Sequence, residues 1–102
     1  MVSSTVKQMI PKIQSYLAMQ PIEKAWLFGS CSRGEETPDS DVDILVQYKE
    51  GERITLFTIS RIVLGLESEL NRAVDLIEDG RLLPFAEASA NNDKILIYDR
   101  YK

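Results

Sequence analysis

Asp41 and Asp43 stand two residues apart, twelve and fourteen positions after Gly29 and within the run Ala25-Trp26-Leu27-Phe28-Gly29-Ser30 to Asp41-Val42-Asp43-Ile44-Leu45-Val46. Side chains alternate along a strand, so two acids at i and i+2 point to one side, with Cα atoms about 7 Å apart. Both can reach ions lying between them, and Mg²⁺ usually takes one or two carboxylates together with phosphate oxygens. In two-metal phosphoryl chemistry a pair of such ions clamps the attacking and leaving oxygens. The plainer alternative is two solvent-facing acids at the start of a strand.

The Gly29-Ser30 pair gives the acids a context. Glycine lets backbone approach a ligand closely, and Ser30 adds a hydroxyl and an N–H. If Ser30 to Arg33 opens a short helical turn, its amides form an anion site next to the metals. A plain turn after a strand is the competing reading. Arg33 is suited either to a phosphate or to pinning its own loop through Glu35, Glu36 or Asp39. Pro38-Asp39-Ser40 reads as a turn that sets up the second strand. Cys31 and Ser32 are expected to matter by being small, and Trp26 and Phe28 to be core residues.

Asp75 sits in the apolar run Ala73-Val74-Asp75-Leu76-Ile77. A carboxylate buried there without a partner would be costly, so it lies on the solvent side of a sheet or faces a cation. If its strand neighbours Asp41–Asp43 in parallel, the three acids share a face. Asp75 then joins the metal site or serves as general base toward an attacking hydroxyl.

The elements that must position these residues follow from periodicity. Residues Ser4 to Ala18 read as a helix burying Val6, Met9, Ile10, Ile13 and Leu17, although Pro11 favours a start near Ile10. Strands are expected at Ala25–Phe28, Val42–Gln47, Ala73–Ile77 and Ile95–Tyr98. A helix between the second and third carries the stripe Leu56, Ile59, Val63, Leu66 and Leu70, widened by Phe57 and Ile62, with Gly65 inside it. Pro84 opens a short helix ending near Ala90. The order α-β-loop-β-α-β-α-β predicts an α/β (α+β) fold: a mixed sheet of about four strands, helices over one face, and parallel second and third strands.

Composition narrows the chemistry. The chain has 102 residues, fitting one domain over residues 1–102 without room for a second catalytic lobe, and no histidine. Ser-His and Cys-His nucleophile pairs and histidine zinc sites are therefore excluded, leaving carboxylates to do any acid–base or metal work. A net charge of −4 argues against direct nucleic-acid binding, which draws its affinity from Lys and Arg on phosphates. Short apolar runs, the lack of a recognisable signal peptide and a single cysteine lead to the expectation of a cytoplasmic protein with no membrane segment.

The stretch Gly29-Ser30-Cys31-Ser32-Arg33-Gly34 through Ser40-Asp41-Val42-Asp43-Ile44-Leu45-Val46 resembles the pattern GSxxRGxxxxxSDxDxxV of minimal nucleotidyltransferase (MNT) domains of the DNA polymerase β-like superfamily. Ala73 to Ile77 looks like the strand bearing that family's third acid. The resemblance implies a polymerase β-like fold and transfer of a nucleotidyl group from a nucleoside triphosphate to a hydroxyl, with release of pyrophosphate. It implies Gly29 and Ser30 on the triphosphate, beside Arg33 as the nucleotide contact its guanidinium suits, and Asp41, Asp43 and, in the third acidic place, Asp75 as catalytic and metal-binding acids holding two Mg²⁺ ions. Small members of this kind are commonly antitoxins paired with a helical HEPN toxin, and some add AMP to a tyrosine of that toxin. The expected reaction is transfer of AMP from ATP to a partner protein, in a homo- or hetero-oligomer. A non-catalytic antitoxin that neutralises by complex formation, and an aminoglycoside-like small-molecule nucleotidyltransferase subunit, are the alternatives.

Overall fold

The computed structural model describes residues 2–79 and 94–101. Helix α1 spans Ser4–Leu17, with the Ser3 hydroxyl accepting from the Val6 amide at 3.2 Å. That cap supplies one of the partners a helix start lacks. The helix runs straight through Pro11 rather than beginning after it. Pro11 and Lys7, whose carbonyl loses its usual donor, are both exposed, so the missing bond falls on the solvent side. Val6, Met9, Ile13 and Leu17 are buried as expected, and Ile10 is half-buried.

Strand β1 (Ile22–Phe28) leads to the one-turn helix α2 (Ser30–Arg33), and strand β2 (Val42–Tyr48) follows. Helix α3 (Leu56–Leu70) opens with a reciprocal capping box between Thr55 and Thr58 and ends at Asn71 in the left-handed region, φ 55°. Strand β3 is Val74–Glu78 and strand β4 is Ile95–Asp99. The short helix expected from Pro84 lies outside the described residues.

The four strands form one sheet in the order β3-β2-β1-β4. β2 and β3 pair in parallel, while β1 runs antiparallel to both β2 and β4. The sheet is therefore mixed, with the parallel pair where the intervening helix demanded it. Ala25, Leu27, Val42, Ile44, Val46, Val74 and Ile97 share the core with the apolar stripes of α1 and α3. Fully buried Ile13, Leu17, Ile62 and Leu66 join the two helices to the sheet. The guanidinium of Arg100 donates to the carbonyls of Ala18, Gln20 and Ile22, fastening the end of β4 to the turn between α1 and β1.

Two expectations about apolar side chains need correcting. Leu56 and Phe57 are 81% and 88% exposed, so the buried stripe of α3 is Ile62, Leu66 and Leu70, flanked by half-buried Ile59 and Val63. At about 100° per residue, Phe57 falls on the side of the helix opposite Ile62 and Leu66. The rotation is set by Gly65, where a Cβ would collide with the Tyr16 hydroxyl, so α1 rests on α3 there. Trp26 and Phe28 are half-buried and stand apart from the helix-side core, on the sheet face that carries Asp43. Lys94 lies 4.7 Å above the Trp26 ring and pairs with Asp79 at 3.6 Å.

Candidate active site

The site gathers at the edge of the sheet where β1 ends and β2 and β3 begin. In the parallel ladder Asp43 stands directly opposite Asp75. On its other side Asp43 is opposite Phe28, the last residue before the Gly-Ser turn. Neighbouring strands lie about 4.8 Å apart, so these three positions form one short row across the sheet. Asp41 lies two residues upstream of Asp43, is exposed, and precedes the first residue of β2.

Gly29 turns the chain under this row. Its φ of 70° lies in the left-handed region that glycine adopts without cost. A Cβ there would come within 2.5 Å of the Asp43 Oδ2 atom. Conformation and space thus both require glycine, and the turn backbone is packed directly against the carboxylate. Helix α2 begins at once. The Ser32 hydroxyl donates to the Gly29 carbonyl at 2.8 Å, and the Ser32 amide donates to it at 3.1 Å. Cys31 is completely buried and Ser32 nearly so. The Cys31 thiol, pushed up by burial and then by Glu36 and Asp43, stays protonated and reaches the Asp41 carbonyl at 3.8 Å.

The electrostatics centre on Asp43. Burial first, then Asp75, then Asp41 push its carboxyl up to about 6, and Arg33 opposes the rise. Two like charges in close reach and partial loss of water both disfavour the ionised form. Arg33 meanwhile pairs with Glu35 at 2.8 Å. Of the roles open to Arg33, loop pinning is thus visible, while its charge also reaches Asp43. Ser40 serves the turn: its hydroxyl accepts from the Thr37 amide at 2.8 Å, and its amide donates to the Thr37 carbonyl at 3.0 Å.

These residues suit Mg²⁺. The donors are hard carboxylate oxygens, and the mutual repulsion that raises Asp43 is what a divalent cation relieves. Among the described residues, no three acid or thiol side chains are drawn together tightly enough to cage an ion alone. Asp43 and Asp75 face each other, and an ion held by two carboxylates would fill the rest of its shell with waters or phosphate oxygens.

Sequence reasoning missed the junction behind the acids. Arg72 donates to the Thr37 carbonyl at 2.9 Å and Glu67 accepts from the Val74 amide at 3.0 Å. No residue pattern marked this junction, because Arg72 acts on a backbone carbonyl thirty-five residues away. Among the described residues, no helix is long and apolar enough to cross a membrane.

Two facing carboxylates, Asp43 and Asp75, thus lie at one end of the mixed sheet with a glycine turn packed against the first of them. The chain matches the family model "Polymerase beta, Nucleotidyltransferase" over residues 11–102 and belongs to that family of nucleotidyltransferases. It is 31% identical over 84 residues to the Methanocaldococcus jannaschii protein named "Putative protein adenylyltransferase MJ0435", covering 82% of this chain and 88% of that one. A solved structure described as a minimal nucleotidyltransferase ("Structure of putative minimal nucleotidyltransferase") superposes with a TM-score of 0.74 at 32% identity, covering 93% of this chain and 95% of that one. The fold is also shared with a complex of the tri-AMPylated Shewanella oneidensis HEPN toxin and its MNT antitoxin, at a TM-score of 0.68 and 19% identity. That match covers 92% of this chain and 72% of the other.

Proposed function

We propose that this chain transfers AMP from Mg·ATP to a hydroxyl of a partner protein, and that the partner is a helical toxin which the modification silences. The observation that carries the chemistry is the facing pair Asp43 and Asp75, with Gly29 packed against Asp43. The names of the Methanocaldococcus jannaschii relatives support a protein acceptor, and the AMPylated toxin in the Shewanella oneidensis complex supports a toxin in that role. A further fold neighbour is a toxin–antitoxin complex with AMP-PNP, in keeping with ATP as donor.

Asp41, Asp43 and Asp75 would hold Mg²⁺, which when bound neutralises phosphate charge and polarises the α-phosphate for attack. The chain's own residues supply the rest. The turn at Gly29 and Ser30, packed against Asp43, would present its backbone to the triphosphate, and Arg33, whose charge reaches Asp43, adds positive charge at the same edge. Asp75, exposed at the start of β3, accepts the proton of the incoming hydroxyl. The hydroxyl oxygen bonds to the α-phosphorus, the bond to the β-phosphate bridging oxygen breaks, and pyrophosphate leaves.

The test is incubation of the purified chain with α-labelled ATP, Mg²⁺ and the product of the adjacent gene. Label should reach the partner protein, and Asp41→Asn with Asp43→Asn should abolish both labelling and neutralisation. Neutralisation that survives the double substitution would replace catalysis with simple complex formation. Transfer of label to an aminoglycoside in place of the protein would move the acceptor to small molecules.

A further inference from the structure

Asp43 and Asp41 are held in different ways. Asp43 lies within β2, laddered to β1 on one side and β3 on the other. Asp41 lies before the strand, exposed, at the end of the loop that leaves α2 at Gly34. Its position therefore depends on whatever fixes that loop.

The fixing group is the junction between α3 and β3. Asn71 adopts the left-handed conformation and caps α3 with its amide on the Glu67 carbonyl at 2.8 Å. Asn tolerates this conformation better than most residues. The turn delivers the Arg72 guanidinium to the far side of the loop. One of its terminal nitrogens donates to the Thr37 carbonyl at 2.9 Å and lies 3.5 Å from the Ser40 carbonyl. These carbonyls bracket the 37–40 turn, and Asp41 is the next residue. The carbonyl of Ala73, adjacent to Arg72, accepts from the Val42 amide at 2.9 Å, on the other side of Asp41. Ser3 meets the same loop further upstream, on the Glu36 carboxylate at 2.5 Å, four residues from the end of the turn.

We propose that Arg72 is a positioning residue for Asp41: its guanidinium clamps the 37–40 turn so that the Asp41 carboxylate is presented beside Asp43 for the cation. This rests on reading Asp41 as a metal-binding acid. Arg72 acts through the turn carbonyls it holds, by raising the fraction of molecules in which Asp41 is in place. Apparent affinity falls in proportion to that fraction.

The experiment measures Mn²⁺ binding by electron paramagnetic resonance, in the presence of a non-hydrolysable ATP analogue, on the full chain and its variants. Arg72→Met keeps the aliphatic stem and removes the donors. It should weaken Mn²⁺ binding about tenfold, the lower end for losing a group that orients a metal ligand, and Arg72→Lys, which keeps one cationic donor group, should bind Mn²⁺ about threefold more weakly than the parent. In transfer assays Arg72→Met should raise the half-saturating Mg²⁺ concentration by a similar factor, with kcat at saturating Mg²⁺ within about twofold of the parent. Parent-like Mn²⁺ affinity in Arg72→Met, with Asp41→Asn weakened, would overturn the positioning role while leaving the metal reading intact. A lower melting temperature and kcat with unmoved Mn²⁺ affinity would overturn it as well, since that marks a merely structural contact. Parent-like affinity in Asp41→Asn would remove the metal reading itself and the positioning role with it. Should Arg72→Met fail to fold, Arg72→Lys alone decides: about threefold weaker binding is expected from its single donor group, and parent-like binding overturns the proposal.

Discussion

Asp43→Asn should stabilise this protein at neutral pH, even as it removes function. The Asp43 carboxyl ordinarily titrates near 3.8 and is pushed to about 6 by burial, Asp75 and Asp41. At about 1.36 kcal/mol per pKa unit, that is a ceiling of about 3 kcal/mol of strain in the ionised, metal-free fold. Asp43 is only half-buried, so screening by solvent reduces the expected effect to about 1 kcal/mol. The sign follows from proton binding. Between roughly pH 4 and pH 6 the folded state holds more protons than the unfolded chain, so stability falls as pH rises through that window. Below it both states are protonated and the strain vanishes; above it the strain is complete. Asn carries no charge to repel. The melting temperature of Asp43→Asn should therefore exceed the parent's by about 4–8 °C at pH 8 and match it near pH 3.5. Differential scanning fluorimetry without divalent ions, in buffers spanning that range, measures the difference. Saturating Mg²⁺ should raise the parent's melting temperature and leave the variant's unmoved. A variant less stable than the parent at pH 8, or equally stabilised at both pH values, would refute the account of the site as a cluster of unneutralised acids.

Gly29→Ala should lose about 1–3 kcal/mol in urea unfolding, from a positive φ and the approach of its Cβ to Asp43, and should lose transferase activity by a larger factor than that folding loss explains. Gly65→Ala should cost about 1–2 kcal/mol with Tyr16 in place. In a Tyr16→Ala background it should instead gain up to about 1 kcal/mol from helix propensity, so a double-mutant cycle in chemical denaturation reads the contact directly. Phe57→Asp should change stability by less than about 0.5 kcal/mol, because the ring is exposed. Leu66→Ala, from the buried stripe of the same helix, should cost about 2–5 kcal/mol by the same measurement.

Much of this architecture could be read from the chain because local rules and tertiary packing agree. The strand carrying Val42, Ile44 and Val46 alternates cleanly, and its parallel neighbour followed from the helix between them. That reasoning placed Asp75 on the face of Asp43 before any register was known. Helix α3 was legible as an element but not in its rotation. Leu56 and Phe57 satisfy an apolar period as well as Ile62 does, and only the contact of Tyr16 with Gly65 shows which face turns inward. Pro11 misled because a helix tolerates proline where the orphaned carbonyl meets water. Arg72 and Arg100 were silent for a different reason. Each acts on backbone carbonyls distant in sequence, and carbonyls carry no residue code.

The sheet's polarity has a consequence for what approaches this edge. In the β2-α3-β3 unit the crossover helix ends where β3 begins, so the negative pole of the fifteen-residue α3 lies toward Asp75. Helix α2 begins where β1 ends, so its first peptide N–H groups lie beside Gly29. The two ends of the mouth thus differ in sign before any side chain is counted. A magnesium–triphosphate is itself a dipole, anionic along its phosphates and cationic at its metal. For the magnesium–triphosphate of the proposed reaction, that difference would favour one orientation, with phosphate toward Gly29 and metal toward Asp43 and Asp75.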